Sequence, residues 1–170
     1  MAAGRHCARA PRKPTISLMD ETWILIDEDT GLHVGWYFWL RVLDEVNRST
    51  RYGAPFALLL LEAGALPGSP ARLIQETASR VPGAIRSTDL GGLVGVGRVG
   101  VLLPHQDVAQ ARVAEQRIIE RLEKSTPREI RWERRLLCYP ADGAEISNLL
   151  TSGWHERRSG EVAPGIERLA

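Results

Sequence analysis

The sequence predicts one α/β (α+β) domain with a mainly antiparallel central sheet flanked by helices. Three observations carry that prediction. Phe56 to Ala63 is an unbroken apolar run between Pro55 and Gly64, as expected of a strand buried on both faces. Leu90 to Val94 and Val99 to Leu103 are apolar segments joined by Gly95-Val96-Gly97, which reads as a β-hairpin. Segments of helical periodicity separate these strands from each other and from a further strand ending at Cys138.

In chain order, residues 1–19 hold Arg5, Arg9, Arg12 and Lys13 with no acid, together with Pro11 and Pro14, and show no apolar period. They read as a disordered basic arm, either a solvated tail or a contact for an acidic partner. The domain proper is expected over 20–160, with a tail over 161–170. Trp36, Leu40, Leu43 and Val46 recur at helical spacing, widened by Phe38 and Trp39, up to the stop at Arg51-Tyr52-Gly53. Three aromatics so close cannot all face one side, so those left outside are candidates for an interface with a protein partner or in a homodimer. The Phe56 strand is expected at the centre of the sheet. After a loop from Gly64 to Pro70, a short helix over Ala71 to Val81 turns Leu73, Ile74, Ala78 and Val81 inward and stops at Pro82-Gly83. Beyond the hairpin, Asp107 is placed to cap a helix over Val108 to Glu123 that gathers Ala111, Ala114, Ile118 and Leu122 on one face. Arg131 to Cys138 is a strand, Tyr139 to Gly143 a turn, and Ile146 to about Arg157 a last helix. The order α-β-α-β-β-α-β-α is that of a ferredoxin-like sheet.

At 170 residues, 44% hydrophobic and 25% charged, the chain has the composition of a single soluble domain. Ala57 to Leu61, the longest apolar run, is too short to cross a bilayer, and the N-terminus lacks the apolar segment of a secretory signal, so the reading is cytoplasmic with no membrane insertion. Cys7 and Cys138 support neither a disulfide framework nor a thiolate zinc site. A net charge of +1 gives no electrostatic reason to expect nucleic acid. His33, His105 and His155 are scattered, and no nucleophile-base pair or metal site can be assembled from them.

Five segments, met in order, together resemble a known family. They are Asp27-Glu28-Asp29-Thr30-Gly31-Leu32, Arg51-Tyr52-Gly53-Ala54-Pro55-Phe56 running into the apolar strand, Gly95-Val96-Gly97-Arg98-Val99, Leu102-Leu103-Pro104, and Tyr139-Pro140-Ala141-Asp142-Gly143. The family is the GGDEF domain of diguanylate cyclases, and the likeness spans Asp27 to about Gly160. It implies a nucleotide-cyclase-like palm and, in active members, two GTP molecules condensed on divalent metals held by clustered carboxylates. This chain departs from that pattern. Where the resemblance implies two aspartates at the end of the first strand, the chain reads Glu62-Ala63-Gly64, and the signature loop offers Gly97-Arg98 for two acids. Glu62 is left as a lone carboxylate at the former metal position, and a guanidinium at Arg98 would repel metal cations. Leu66-Pro67-Gly68-Ser69-Pro70 lacks the family's lysine and asparagine, and Thr151 to Arg158 lacks its phosphate-binding lysine. A degenerate domain with no catalytic residues, no metal and no cofactor is therefore expected. Arg98 with the loop amides could instead form an anion nest, although the turn's need for positive φ already accounts for the glycines.

A second feature of the family matches. Its product-binding motif Arg-x-x-Asp stands five residues before the signature loop, as Arg86-Ser87-Thr88-Asp89 does here, and its helical arginine thirteen residues past the hairpin proline corresponds to Arg117. Arg41-Val42-Leu43-Asp44 also satisfies the motif, so position rather than composition carries the match. The resemblance implies a regulatory receptor for cyclic di-GMP through Arg86, Asp89 and Arg117. A guanidinium can pair with guanine O6 and N7 or with phosphate, and a carboxylate can accept from guanine N1–H and N2–H. The competing readings are a surface ion pair worth under about 1 kcal/mol, a nucleotide-independent scaffold, and a GTP-binding or residually active cyclase.

Overall fold

The computed structural model describes residues 25–65 and 71–152. Its first feature is a turn locked by Asp27, whose Oδ1 accepts from the backbone N–H of Thr30 at 2.9 Å and from its hydroxyl at 2.7 Å. From that turn His33 reaches the neighbouring sheet edge: its N–H donates to Gly91 O at 3.0 Å, and its O accepts from Leu93 N–H at 2.8 Å. Helix α1 (Gly35–Tyr52) follows and ends at Gly53, whose φ of 68° closes the last turn by an N–H donated to Ser49 O.

Strand β1 (Phe56–Ala65) leads to helix α2 (Ala71–Ala78) and the single turn α3 (Val81–Ala84). The hairpin β2 (Leu90–Gly95) and β3 (Arg98–Pro104), helix α4 (Val108–Ser125), strand β4 (Ile130–Tyr139) and helix α5 (Gly143–Ser152) complete the chain. The strands form one sheet in the order β2-β3-β1-β4, with every neighbouring pair antiparallel. β1 is thus internal, as its apolar run requires. Leu59 and Leu61 enter a core with Val101, Leu103, Ile118 and Leu122 beneath α3 and α4. Leu58 and Leu60 enter a second core with Phe38, Val42 and Ile146 beneath α1 and α5. Helices therefore cover both faces. Cys138 lies buried at the rim of the first core, and burial, followed by the Asp142 carboxylate, pushes its thiol pKa up.

Several boundaries differ from the sequence reading. β1 runs two residues past Ala63, because Gly64 and Ala65 keep pairing with Arg131 and Ile130 of β4. The helix expected over Ala71–Val81 breaks after Ala78, and a new turn starts at Val81 with Pro82 near its N-terminus, where no backbone N–H is required. The last helix begins at Gly143 rather than Ile146, since the N–H groups of Glu145 and Ile146 already donate to Asp142 O. Asp107 caps α4 as expected, in a reciprocal box with Gln110.

The inward face of α1 is the largest correction. Phe38, Trp39, Val42, Glu45 and Ser49 are buried, whereas Trp36, Leu40 and Leu43 of the expected stripe are 52%, 46% and 43% exposed. The cause lies in the hairpin. Gly92 and Gly100 are cross-strand partners, and a Cβ on either would come within 2.4 Å of the Phe38 side chain. The glycine pair forms a hollow that only Phe38 fills, and seating that ring fixes the rotation of α1. The basic arm, the C-terminal tail, the Leu66–Pro70 loop, His155 and the segment from Gly153 onward fall outside the described residues.

Candidate functional site

The β2–β3 hairpin has two ends, and the sequence-predicted residues divide between them. At the turn, Gly97 adopts φ 69° and Val96 is 95% exposed, so Gly95-Val96-Gly97 forms the tight turn expected of it. Arg98 lies just past the turn. It opens β3 directly opposite Glu62 of β1, and its Nη2 donates to Glu62 Oε1 at 3.3 Å. Val99 is buried in the core, Gly95 lies against the Arg98 side chain, and Gly64 faces Arg131 across the β1–β4 ladder. The ladder also makes Glu133 a cross-strand neighbour of Glu62, a carboxylate that linear reading did not place there. Two acids beside a paired guanidinium do not fit a pair of divalent cations, which need several free oxygen ligands each. Among the described residues no group of three or more His, Cys, Asp or Glu side chains could hold a metal ion.

The opposite end, where β2 begins and β3 finishes, carries Arg86, Asp89 and Arg117. Asp89 lies in the loop before β2 with its side chain only 1% exposed. Its Oδ2 accepts from the Arg86 backbone N–H at 2.9 Å and stands 3.5 Å from Arg117 Nη2 on α4. The three residues matched by spacing are thus brought together, with Asp89 internal as a brace and the two arginines opening outward.

They open into a groove of ≈ 810 Å³ whose lining includes Arg41, Glu45 and Arg48 of α1 as well as Arg86, His105 and Arg117. Its four arginines outnumber the three carboxylates that pair with them, Asp44, Glu45 and Asp89, which leaves it cationic and suits an anion carrying phosphates. Arg41 pairs with Asp44 at 3.0 Å, so the second Arg-x-x-Asp of the chain is a helix-surface ion pair whose arginine also borders the groove. Sequence reasoning missed Glu45, Arg48, His105 and Gln106. One signal was available: Glu45 continues the spacing of Phe38, Val42 and Ser49, a charge on the buried face of a helix. His33, by contrast, is structural, with Nδ1 3.0 Å from Gly91 O and its ring stacked on Tyr37.

With this geometry in place, solved structures identify the class of fold. The chain has the fold of GGDEF domains. The diguanylate cyclase SiaD of Pseudomonas aeruginosa, solved with its activator SiaC, superposes with a TM-score of 0.61 at 20% identity, covering 79% of this chain and 61% of that one. The coiled coil and GGDEF domain of DgcB from Caulobacter crescentus, solved with c-di-GMP, gives 0.62 at 12% identity over 79% and 81% of the two chains. The FimX GGDEF domain of Pseudomonas aeruginosa gives 0.61 at 15% identity over 75% and 90%. The present chain therefore spans less than two thirds of SiaD and most of the other two. No family model and no curated protein matches the sequence. Among the described residues no helix is long and apolar enough to cross a membrane.

Proposed function

We propose that this chain is a catalytically silent GGDEF-fold domain that acts as a cyclic di-GMP receptor, binding the dinucleotide in the groove at Arg86 and Arg117. The observation that carries the reading is the convergence of Arg86 and Arg117 on one cationic groove, held by the buried Asp89. A guanidinium presents parallel donors that match both phosphate oxygens and the O6/N7 edge of guanine. The proposed silence rests on the other end of the hairpin, where Arg98 engages Glu62 at 3.3 Å and holds positive charge where cyclase metals would have to sit. Ligand binding would act by population shift, favouring whichever arrangement of domains or protomers presents the filled groove.

Isothermal titration of the purified protein with cyclic di-GMP tests the receptor reading. Saturable binding by wild type, lost or weakened at least tenfold in Arg86→Ala, is expected; a silent wild-type titration overturns it. Incubation with GTP and Mg²⁺ or Mn²⁺ is expected to yield no cyclic di-GMP, and turnover would overturn the silence.

One observation favours a second reading, a scaffold for protein contacts or a homodimer. Trp36, Leu40 and Leu43 form a solvent-facing apolar stripe on α1. Light scattering across a concentration series checks it: self-association by wild type that Leu40→Glu removes supports the scaffold, and a monomer at all concentrations counts against the homodimer.

A further inference from the structure

Three buried polar atoms without a hydrogen-bond partner belong to residues that line the same groove: Glu45 Oε1, Gln106 Oε1 and Arg117 Nε. Burying such groups unpaired is costly, most of all for a charge, so their concentration in one place needs a reason. Glu45 is the most costly. Its residue is only 3% exposed, it sits on the face of α1 that packs on the sheet, and its other oxygen reaches only Arg48 at 3.4 Å. A helix does not need an acid there; Phe38 and Val42 on the same face are fully buried hydrocarbon.

Asp89, the carboxylate expected to read a guanine, is already committed. Oδ2 takes the Arg86 N–H and faces Arg117, and Oδ1 lies 3.4 Å from the Thr88 hydroxyl. The carboxylate left in the lining for a ligand is Glu45, across the groove. We infer that Glu45 is the specificity-determining residue of this groove, its carboxylate turning out of the buried position in which Oε1 has no partner to accept from the N1–H and N2–H edge of a guanine base while Arg86 and Arg117 take the phosphates. The inference rests on the receptor reading above and adds the base preference to it.

The chemistry selects among bases. Guanine presents two adjacent donors on its Watson–Crick edge; adenine presents an acceptor at N1, which a carboxylate repels; hypoxanthine keeps N1–H but lacks the N2 amine. Gln106 supplies a second unpaired acceptor in the lining, and Arg48 holds the Glu45 side chain from the solvent side. A groove of ≈ 810 Å³ also lies within the range of about 300–1,000 Å³ that accommodates drug-sized ligands.

The test is a titration of wild type, Glu45→Gln and Arg86→Ala with cyclic di-GMP, cyclic di-IMP and cyclic di-AMP, each variant first checked for a cooperative thermal transition. Wild type is expected to bind the guanine dinucleotide about 10- to 100-fold tighter than the hypoxanthine one, the loss of a hydrogen bond to a charged acceptor. Glu45→Gln should shrink that ratio to within about threefold by weakening the guanine ligand, whereas Arg86→Ala should weaken both ligands by a similar factor. An unchanged ratio in Glu45→Gln, with binding still lost in Arg86→Ala, overturns the role of Glu45 and leaves the receptor reading standing. Equal wild-type affinity for the two dinucleotides, or preference for cyclic di-AMP, overturns it even if Glu45→Gln does not fold. A wild-type protein that binds none of the three overturns both readings.

Discussion

Asp89 does for the arginine pair what neither arginine can do for itself. Its carboxylate is buried, fixes the loop through the Arg86 N–H at 2.9 Å, and gives Arg117 a counter-charge 3.5 Å away. Replacing it by asparagine keeps the shape and removes the charge, which leaves a guanidinium that is 23% exposed facing a neutral amide. We expect Asp89→Asn to lower unfolding free energy by about 1–3 kcal/mol, read as a reduced urea midpoint at unchanged slope. Cyclic di-GMP affinity should fall with it, because Arg117 loses its fixed direction. An asparagine variant as stable as wild type would mean that Asp89 is a solvated partner and not a brace. The structure brings these three residues together, and that they stand together was foreseen from the spacing of a resemblance. Their roles were not, since only burial distinguishes a carboxylate that faces a ligand from one that faces its own loop.

At the scale of elements, the fit of α1 on the hairpin sets the architecture around both ends of the site. Apolar spacing selects Trp36, Leu40, Leu43 and Val46, widened by Phe38 and Trp39; of these Phe38, Trp39 and Val46 pack inward, because the helix is turned so that Phe38 enters the Gly92–Gly100 hollow. The information lay in a different segment, as two glycines within strands, where glycine ordinarily weakens pairing. Gly92→Ala would place a methyl 2.4 Å from Phe38 Cβ and Cγ, and neither the backbone of α1 nor the sheet can yield freely. A loss of about 1–3 kcal/mol is expected in urea unfolding, with part of it recovered when Phe38→Ala is combined with Gly92→Ala. Gly83→Ala is the control: nothing lies within 4 Å of its added Cβ, so it should be neutral or slightly stabilising. If Gly92→Ala behaves like Gly83→Ala, the hollow does not set the helix rotation.

Across the whole molecule, the chain order of strands and helices and the central place of β1 were readable because apolar runs, turn glycines and helical periods succeed one another as a ferredoxin-like sheet requires. The groove was not readable in the same way. Its walls come from α1 and α4, which pack on opposite faces of the sheet and meet only past the end of β2 and β3. Glu45 and Arg117 are far apart in sequence, and nothing local announces that they share a cavity. That placement has a thermodynamic consequence. A ligand seated there holds two helices that belong to different cores, so its binding energy is linked to unfolding of the domain as a whole. At a free concentration a hundred times its Kd, cyclic di-GMP should add about 2.7 kcal/mol to the folded state, which for a domain of this size raises Tm by roughly 5–15 °C. Arg86→Ala should abolish the shift. Arg98→Ala, at the far end of the hairpin, should lower the starting Tm by breaking the Glu62 pair yet leave the ligand-induced increment intact. Differential scanning fluorimetry of the three proteins separates the two ends: an increment lost in Arg98→Ala but kept in Arg86→Ala would move the binding site to the turn and refute its assignment to the groove.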